Sequence, residues 1–109
     1  MDYVPDRGDV VWTDFNPQLG HEQAGRRPAL VLSPAFYNRR TGLALFCPIT
    51  NQIKGFKFEV VIPKGQGVTG AVLSDAVKNF DWRARRCVFI TTLPRSVTED
   101  VLEKLRTLL

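Results

Sequence analysis

A chain of 109 residues fits one domain, and its hydrophobic content of 44% and charged content of 24% argue against disorder. It carries neither a signal-peptide pattern nor an apolar run near the roughly 18 residues of a membrane span, so we expect one soluble, cytoplasmic domain over residues 1–109 with no membrane contact. The net charge of +4 is modest, but the basic residues cluster at 26–27, 39–40, 54–57 and 83–86. Such clustering is typical of polyanion binders, although each cluster alone also suits a solvated surface.

The first half of the chain predicts short strands. Residues 10–15 combine β-branched and aromatic side chains, and residues 29–32 form a continuous apolar run that begins after Pro28. Proline cannot donate a ladder hydrogen bond, so we expect Pro28 at a strand boundary. Residues 43–47 predict a third strand that Pro48 closes or kinks, and residues 37–40 before it read as a solvated turn.

The second half of the chain predicts three more strands, after which the apolar residues change from strand-like to helical spacing. Residues 56–62 begin with clean alternation, and residues 72–74 and 88–92 are short apolar runs between glycine and proline turns. Many short strands at close spacing favour a small barrel or sandwich.

The C-terminus predicts a helix. Ser96 and Glu99 have the spacing of a capping box, in which each side chain satisfies a free amide of the first turn. The following apolar residues fall on one helical face, which we interpret as core packing with a dimer contact as the alternative. They are Val101, Leu102, Leu105, Leu108 and Leu109.

The side chains that carry chemistry are few. Cys47 and Cys87 lie in apolar runs, so we expect buried thiols and no disulfide, and the cysteines and histidines are too few for a zinc site. The carboxylates are dispersed, which argues against a two-metal nuclease. His21 is the one histidine, so neither a histidine-pair ribonuclease nor a nucleophile–histidine triad is favoured. No glycine-rich phosphate loop is present.

The type of site that remains after these exclusions is metal-free and built from a carboxylate, an arginine and a hydroxyl. Glu22, in the polar loop over residues 20–28, can accept a proton from a 2′-hydroxyl. Arg27 can pair with two phosphate oxygens and stabilise developing charge, and Thr50 can offer a hydroxyl to the same phosphate. From the pattern alone, a solvated hairpin with a Glu–Arg pair is an equal alternative.

Four segments resemble one toxin family. Residues 3–17 contain Gly-Asp-Val-Val-Trp-Thr-Asp-Phe-Asn-Pro, and residues 20–33 contain Glu-Gln-Ala-Gly-Arg-Arg-Pro. Residues 47–52 read Cys-Pro-Ile-Thr-Asn-Gln, and residues 73–85 contain Leu-Ser-Asp-Ala-Val-Lys and Trp-Arg-Ala-Arg. In this order and spacing they are similar to the MazF/PemK toxins of type II toxin–antitoxin systems, closest to the MazF branch.

The resemblance implies a fold, a reaction and partners. The fold would be mainly β with a C-terminal helix, an SH3-like barrel shared with CcdB-type toxins, working as a homodimer. The reaction would be cofactor-free and metal-independent cleavage of single-stranded mRNA, leaving a 2′,3′-cyclic phosphate and a 5′-hydroxyl. A cognate MazE-like antitoxin would block it with an acidic tail in the RNA groove. The family's arginine, glutamate and threonine would fall on Arg27, Glu22 and Thr50.

The same resemblance predicts which residues contact RNA, with surface charge or an internal ion pair as the alternative for several of them. Asn51 and Ala76 depart from the family pattern, so the target sequence stays open, with ACA-containing sites the expectation of the closest branch. The predicted RNA-binding residues are Gln23, Asn51, Gln52, Lys54, Lys57, Asp75, Lys78, Arg83 and Arg85.

The aromatic residues have two possible roles each, since single-stranded RNA sites often stack bases on aromatic rings. We expect Trp12 in the core and Phe15 and Phe56 in the core or supporting a loop, while Trp82 suits dimer packing and RNA or antitoxin contact equally. A gyrase-inhibiting toxin and a non-catalytic RNA-binding barrel remain alternative functions, because fold alone does not fix activity.

Overall fold

The computed structural model describes residues 2–15 and 25–109 of the chain. Those ranges contain seven strands and two helices, and all the strand pairings are antiparallel. In chain order the elements are β1 (Asp9–Asp14), β2 (Arg26–Val31), α1 (Ala35–Thr41), β3 (Leu43–Thr50), β4 (Glu59–Val61), β5 (Ala71–Leu73), β6 (Lys78–Asp81), β7 (Val88–Thr92) and α2 (Arg95–Arg106).

The strands form one sheet in the order β4-β5-β3-β2-β1-β7, and β6 joins it beside β3. β3 has β2 on one side, while on the other side its first half pairs with β6 and its last two residues pair with β5. The predicted class, mainly β with a C-terminal helix, is confirmed.

Alternate residues of the central strands pack on opposite sides of the sheet, as the two-residue period of a strand requires. One side faces α2, and its buried cluster includes Val10, Leu30, Cys47, Val97 and Val101. The other side carries a smaller cluster that includes Val11, Ala29, Phe46 and Trp82. The sheet is therefore covered on both faces over its centre.

Two prolines lie inside strands, where the sequence predicted a boundary. β2 begins at Arg26, two residues before Pro28, and β3 continues two residues beyond Pro48. On the side of β3 that faces β5 and β6, Pro48 lies between the residues that pair with β6 and those that pair with β5. Its missing N–H therefore costs no strand-to-strand hydrogen bond on that side.

The observed strands do not all have the limits that the sequence predicted. The last one is confirmed at 88–92, whereas the run at 56–62 supplies only the three residues of β4. β6 was not predicted, because its sequence Lys-Asn-Phe-Asp is polar and its strand geometry comes from pairing with β3. Tertiary pairing overrides local propensity here.

The segment predicted as a solvated turn is helix α1, and that prediction is wrong. Asn38 in this helix is fully buried. Its Nδ2 donates to the Pro5 carbonyl at 2.7 Å and to the Ser33 carbonyl at 3.0 Å, while Ser33 Oγ donates to Asn38 Oδ1 at 2.6 Å. The asparagine thus ties the N-terminal segment to the end of β2.

The predicted capping box at Ser96 and Glu99 is absent. α2 begins at Arg95 after Pro94, no side chain caps it, and Glu99 instead pairs with Arg95 at 3.3 Å. The apolar face is confirmed for Val101, Leu102 and Leu105, which pack on the core, but Leu108 and Leu109 lie beyond the helix and are exposed.

Candidate active site

An open cleft of about 540 Å³ lies where β2 and β3 stop pairing. Their ladder ends at the Ala29–Pro48 pair, whereas both strands continue beyond it. Proline has no N–H to continue a ladder, and Pro28 and Pro48 stand at this point on the two strands. The cleft is lined by Trp12, Gly25, Arg26, Arg27, Pro28, Ile49, Thr50, Asn51 and Gln52.

Arg27 and Thr50 are brought together by this arrangement. Arg27 pairs with Thr13 across β1 and β2, and Thr50 pairs with Ala71 across β3 and β5. The β2–β3 register, continued by two residues, sets Arg27 opposite Thr50. Both side chains are partly exposed and line the same cleft, so they are available to one ligand.

The Thr50 hydroxyl is held at the mouth of the loop that follows β3. Its Oγ1 accepts a hydrogen bond from the Gln52 amide at 3.1 Å, which leaves the hydroxyl proton available for donation to a ligand oxygen. Gly70 packs against the same turn, at φ +118°, so close that a Cβ there would overlap the Thr50 carbonyl oxygen. The turn after Thr50 is therefore fixed from both sides.

A second cavity of about 210 Å³ adjoins the cleft, and the two share Thr50 and Gln52. Its other lining residues include two predicted RNA-binding residues, Lys54 and Asp75. The full lining is Thr50, Gln52, Lys54, Phe56, Glu59, Leu73 and Asp75. The predicted site residues Arg27, Thr50, Asn51, Gln52, Lys54 and Asp75 thus line two adjoining cavities.

The remaining predicted residues lie elsewhere or outside the described part of the chain. Glu22 and Gln23 fall in residues 16–24, outside the described residues. Lys57, Lys78, Arg83 and Arg85 line neither cavity. Lys57 Nζ lies 5.9 Å from the ring of Phe58, and Lys78 sits opposite Phe46 on β3. Arg83 stacks over Trp82 at 4.7 Å and Arg85 over Phe80 at 4.1 Å.

A cluster of ion pairs that the sequence did not predict lies next to Arg27, where β1 ends and β2 begins. Arg26 Nη1 lies 3.0 Å from Asp14 Oδ1, and Arg86 Nε lies 2.8 Å from Asp14 Oδ2. Hydrogen bonds from Arg86 and then from Arg26 hold the pKa of the Asp14 carboxyl below its ordinary range. Arg86 also adopts φ +52°, a left-handed conformation that is uncommon for a side chain of this kind.

The aromatic predictions were partly wrong. Trp12 is 43% exposed and lines the cleft, so its prediction as a core residue is wrong. Phe56 is 64% exposed and lines the second cavity, so of its two predicted roles core packing is excluded and a role in the loop remains. Trp82 is buried in the core of its own chain, where its Nε1 donates to the Asn38 carbonyl at 2.8 Å. Phe15 is buried as expected.

The two cysteines are not joined by a disulfide. Cys47 is buried and Cys87 is half-buried, and both are free thiols. Burial raises the pKa of the Cys47 thiol to about 12. Within the described ranges, no three or more His, Cys, Asp or Glu side chains come together as metal ligands would. No helix in the same ranges is both long and apolar enough to span a bilayer.

Comparison with known proteins identifies the family. Residues 6–109 match the model of the PemK-like, MazF-like toxins of type II toxin–antitoxin systems. The endoribonuclease toxin MazF of Escherichia coli K12 is 57% identical over 83 residues, which cover 76% of this chain and 74% of that protein.

Solved structures agree in fold. The crystal structure of MazF from Deinococcus radiodurans superimposes with a TM-score of 0.95 at 53% identity, covering 98% of this chain and 97% of that one. A MazE–MazF crystal structure from the same organism superimposes with a TM-score of 0.87 at 48% identity, covering 98% of this chain and 96% of that one. The chain therefore belongs to the PemK-like and MazF-like toxins of type II toxin–antitoxin systems and is an endoribonuclease of that family.

Proposed function

We propose that the chain cleaves single-stranded mRNA at a short target sequence, without a metal ion or other cofactor. The observation that carries this proposal is the convergence of Arg27 and Thr50 on one open cleft at the end of the β2–β3 ladder. A planar guanidinium and a hydroxyl on facing walls suit a phosphate, since each can donate to a different phosphoryl oxygen.

In this reaction the 2′-oxygen of the RNA attacks the adjacent phosphorus and the bond to the 5′-oxygen breaks. A base takes the proton of the 2′-hydroxyl, and we assign that role to Glu22. Arg27 stabilises the charge that develops on the phosphoryl oxygens, and Thr50 donates to the same group. The products are a 2′,3′-cyclic phosphate and a 5′-hydroxyl, the latter formed when the leaving oxygen takes a proton from water.

The proposed RNA path extends from the cleft into the second cavity. Asn51, Gln52, Lys54 and Asp75 are proposed to contact bases or backbone there, because their side chains line the two cavities. Gln23, Lys57, Lys78, Arg83 and Arg85 remain predicted contacts for flanking nucleotides or for the antitoxin. Phosphate contacts of this kind would make binding fall with rising salt.

We also propose that the toxin is a cytoplasmic homodimer, that residues 1–109 form one domain, and that a MazE-like antitoxin neutralises it. The family match over residues 6–109 supports the single domain. The neighbouring Deinococcus radiodurans structure contains MazE together with MazF, which supports the partner. A chain of net charge +4 suits an acidic antitoxin segment lying in the RNA groove.

The test is cleavage of a mixed-sequence single-stranded RNA by the purified protein in EDTA. We expect discrete cuts whose 5′-hydroxyl ends are labelled by polynucleotide kinase without prior phosphatase treatment. Arg27→Ala is expected to lower kcat by about 100- to 1,000-fold, the usual cost of removing a group that stabilises transition-state charge. Arg39→Ala, an exposed arginine on α1, is the matched control.

Three outcomes would overturn parts of this proposal. Undiminished cleavage by Arg27→Ala would remove Arg27 from the chemistry. Cleavage that appears only after Mg²⁺ is added would refute metal independence. Retention of RNA in a gel without any cut would favour a binding protein over the proposed nuclease.

A further inference from the structure

The loop between β3 and β4, residues 51–58, exposes an unusual amount of apolar surface beside the second cavity. Phe56 is 64% exposed and Ile53 is 48% exposed, although the sheet beside them has a well-buried core. Phe56 lines the cavity, and the ammonium of Lys54 lies 5.8 Å from the centre of its ring. An exposed aromatic ring with a cation nearby is the composition of a stacking site for single-stranded nucleic acid.

Glu59 fixes the shape of this loop. Its Oε1 accepts from the backbone amides of Lys54, Gly55 and Phe56 at 3.1, 2.8 and 3.2 Å, and its Oε2 lies 3.2 Å from the Lys54 amide. Hydrogen bonds from three consecutive amides to one carboxylate are charge-assisted and hold the turn in a single conformation. Glu59 is itself anchored in the sheet, opposite Leu73 of β5.

The size and polarity of the cavity suit one nucleobase. Its volume of about 210 Å³ is below the roughly 300–1,000 Å³ of drug-sized pockets, so it suits a group no larger than one base. Asp75 is an exposed carboxylate in its wall, and an ionised carboxylate can only accept hydrogen bonds. The one donor on the pairing edge of uracil, N3–H, lies between two carbonyl oxygens that repel a carboxylate, so Asp75 favours a base with an exocyclic amino group over uracil. Thr50 belongs to both cavities, which places this base next to the phosphate site.

We propose that Phe56 stacks on one base of the bound RNA while Asp75 accepts a hydrogen bond from the exocyclic amino group of that base. Glu59 is the positioning residue that holds the loop so that the ring of Phe56 faces the cavity. The inference rests on the proposed ribonuclease activity and assigns the second cavity as a specificity pocket of that activity.

The first test maps cut sites in a mixed-sequence RNA and measures cleavage of a short oligonucleotide containing the preferred site. Phe56→Ala is expected to raise KM by about 5- to 150-fold with little change in kcat, the range for losing one base–aromatic stack. It should also flatten the base preference at one position of the cut-site profile. Phe36→Ala is the matched control, because Phe36 is 73% exposed on α1 and lines neither cavity.

The second test addresses Asp75 through base identity. Replacing the preferred base at the affected position by uracil is expected to slow the wild type by about 10-fold, the scale of one lost base-edge contact. Asp75→Asn should reduce that ratio, since an amide can donate to the carbonyl of uracil as well as accept. An unchanged ratio would overturn the role of Asp75.

The third test asks whether Glu59 acts through Phe56. Glu59→Ala should raise KM as Phe56→Ala does, and the double variant should be no worse than the worse single variant. Glu59→Gln should restore part of the affinity, because the amide oxygen still accepts. Additive effects in the double variant would show that Glu59 has only a general structural role.

The results separate this inference from the function on which it rests. If the wild type does not cut RNA, the proposed function fails. If the wild type cuts and Arg27→Ala does not, but Phe56→Ala retains the wild-type KM and cut-site profile, the nuclease stands and the specificity pocket is wrong.

Discussion

Replacing the buried Asn38 by alanine should lower stability sharply without altering the chemistry of cleavage. The substitution removes three hydrogen bonds and leaves the Pro5 and Ser33 carbonyls and the Ser33 hydroxyl without this partner. Each buried polar group left unsatisfied costs about 1–3 kcal/mol, and neighbouring losses are not additive, so we expect about 3–5 kcal/mol in total. At about 2.1 cal/mol/K of unfolding entropy per residue, this lowers Tm by about 13–22 °C for the 109-residue chain.

The assay is thermal unfolding followed by circular dichroism, with urea unfolding as a check on the free energy. Asn79→Ala is the control, because Asn79 is an exposed asparagine on β6. Below its own Tm, Asn38→Ala should cleave RNA with the kcat of the wild type, since Asn38 does not line the cleft. If the free energy of unfolding falls by less than about 1 kcal/mol, and by no more than in the control, Asn38 does not stabilise the fold through these hydrogen bonds.

Two further predictions concern the surroundings of Arg27 and Thr50. In Gly70→Ala the new Cβ would overlap the Thr50 carbonyl oxygen and lie 3.0 Å from Asn51 Oδ1, so the turn at Thr50 and Asn51 should move away. We expect this displacement to lower kcat/KM by at least about 10-fold. Gly42→Ala, at φ +74° with nothing within 4 Å, is the control that carries only backbone strain, and equal activity of the two variants would contradict the prediction. Arg86 and Arg26 lower the pKa of Asp14 in the folded state. The ion pairs of Asp14 should therefore stabilise the fold fully above the ordinary carboxyl pKa of about 3.9. This stabilisation should be lost as the pH falls through the lower pKa of the folded state. The Tm difference between wild type and Asp14→Asn should therefore be constant from about pH 5 to 7 and shrink below about pH 4, and a difference independent of pH would refute it.

The sequence predicted the fold class because strand and helix patterns are short-range, whereas Arg27 and Thr50 were assigned to the site mainly because their segments resemble one toxin family. The run at 88–92 is a strand as predicted, and Arg27 and Thr50 line one cleft. Their convergence depends on the β2–β3 register, which two prolines and the packing of both sheet faces determine. Local composition alone carries no such information.

The errors have a common physical cause, which is long-range contact. Asn38 reads as a turn residue, yet Pro5 and Ser33 satisfy its amide in the interior. Trp12 reads as a core residue within a strand, yet the opening of the β2–β3 ladder leaves its ring beside the cleft. Glu59 carries no sequence signal as a loop anchor, since its role depends on how the chain folds back from residue 54.

The positions of Arg27 and Thr50 on strands and of Phe56 in a loop have an evolutionary consequence. A change of one residue in strand register would turn the two strand side chains to the opposite face, so selection on the core also preserves the cleft to which the reaction is assigned. The loop from 51 to 58 contributes no residue to the β2–β3 ladder, so its register is not fixed in the same way. If Phe56 selects a base as proposed, substitutions in this loop are expected to change the target sequence while Arg27 and Thr50 stay in place.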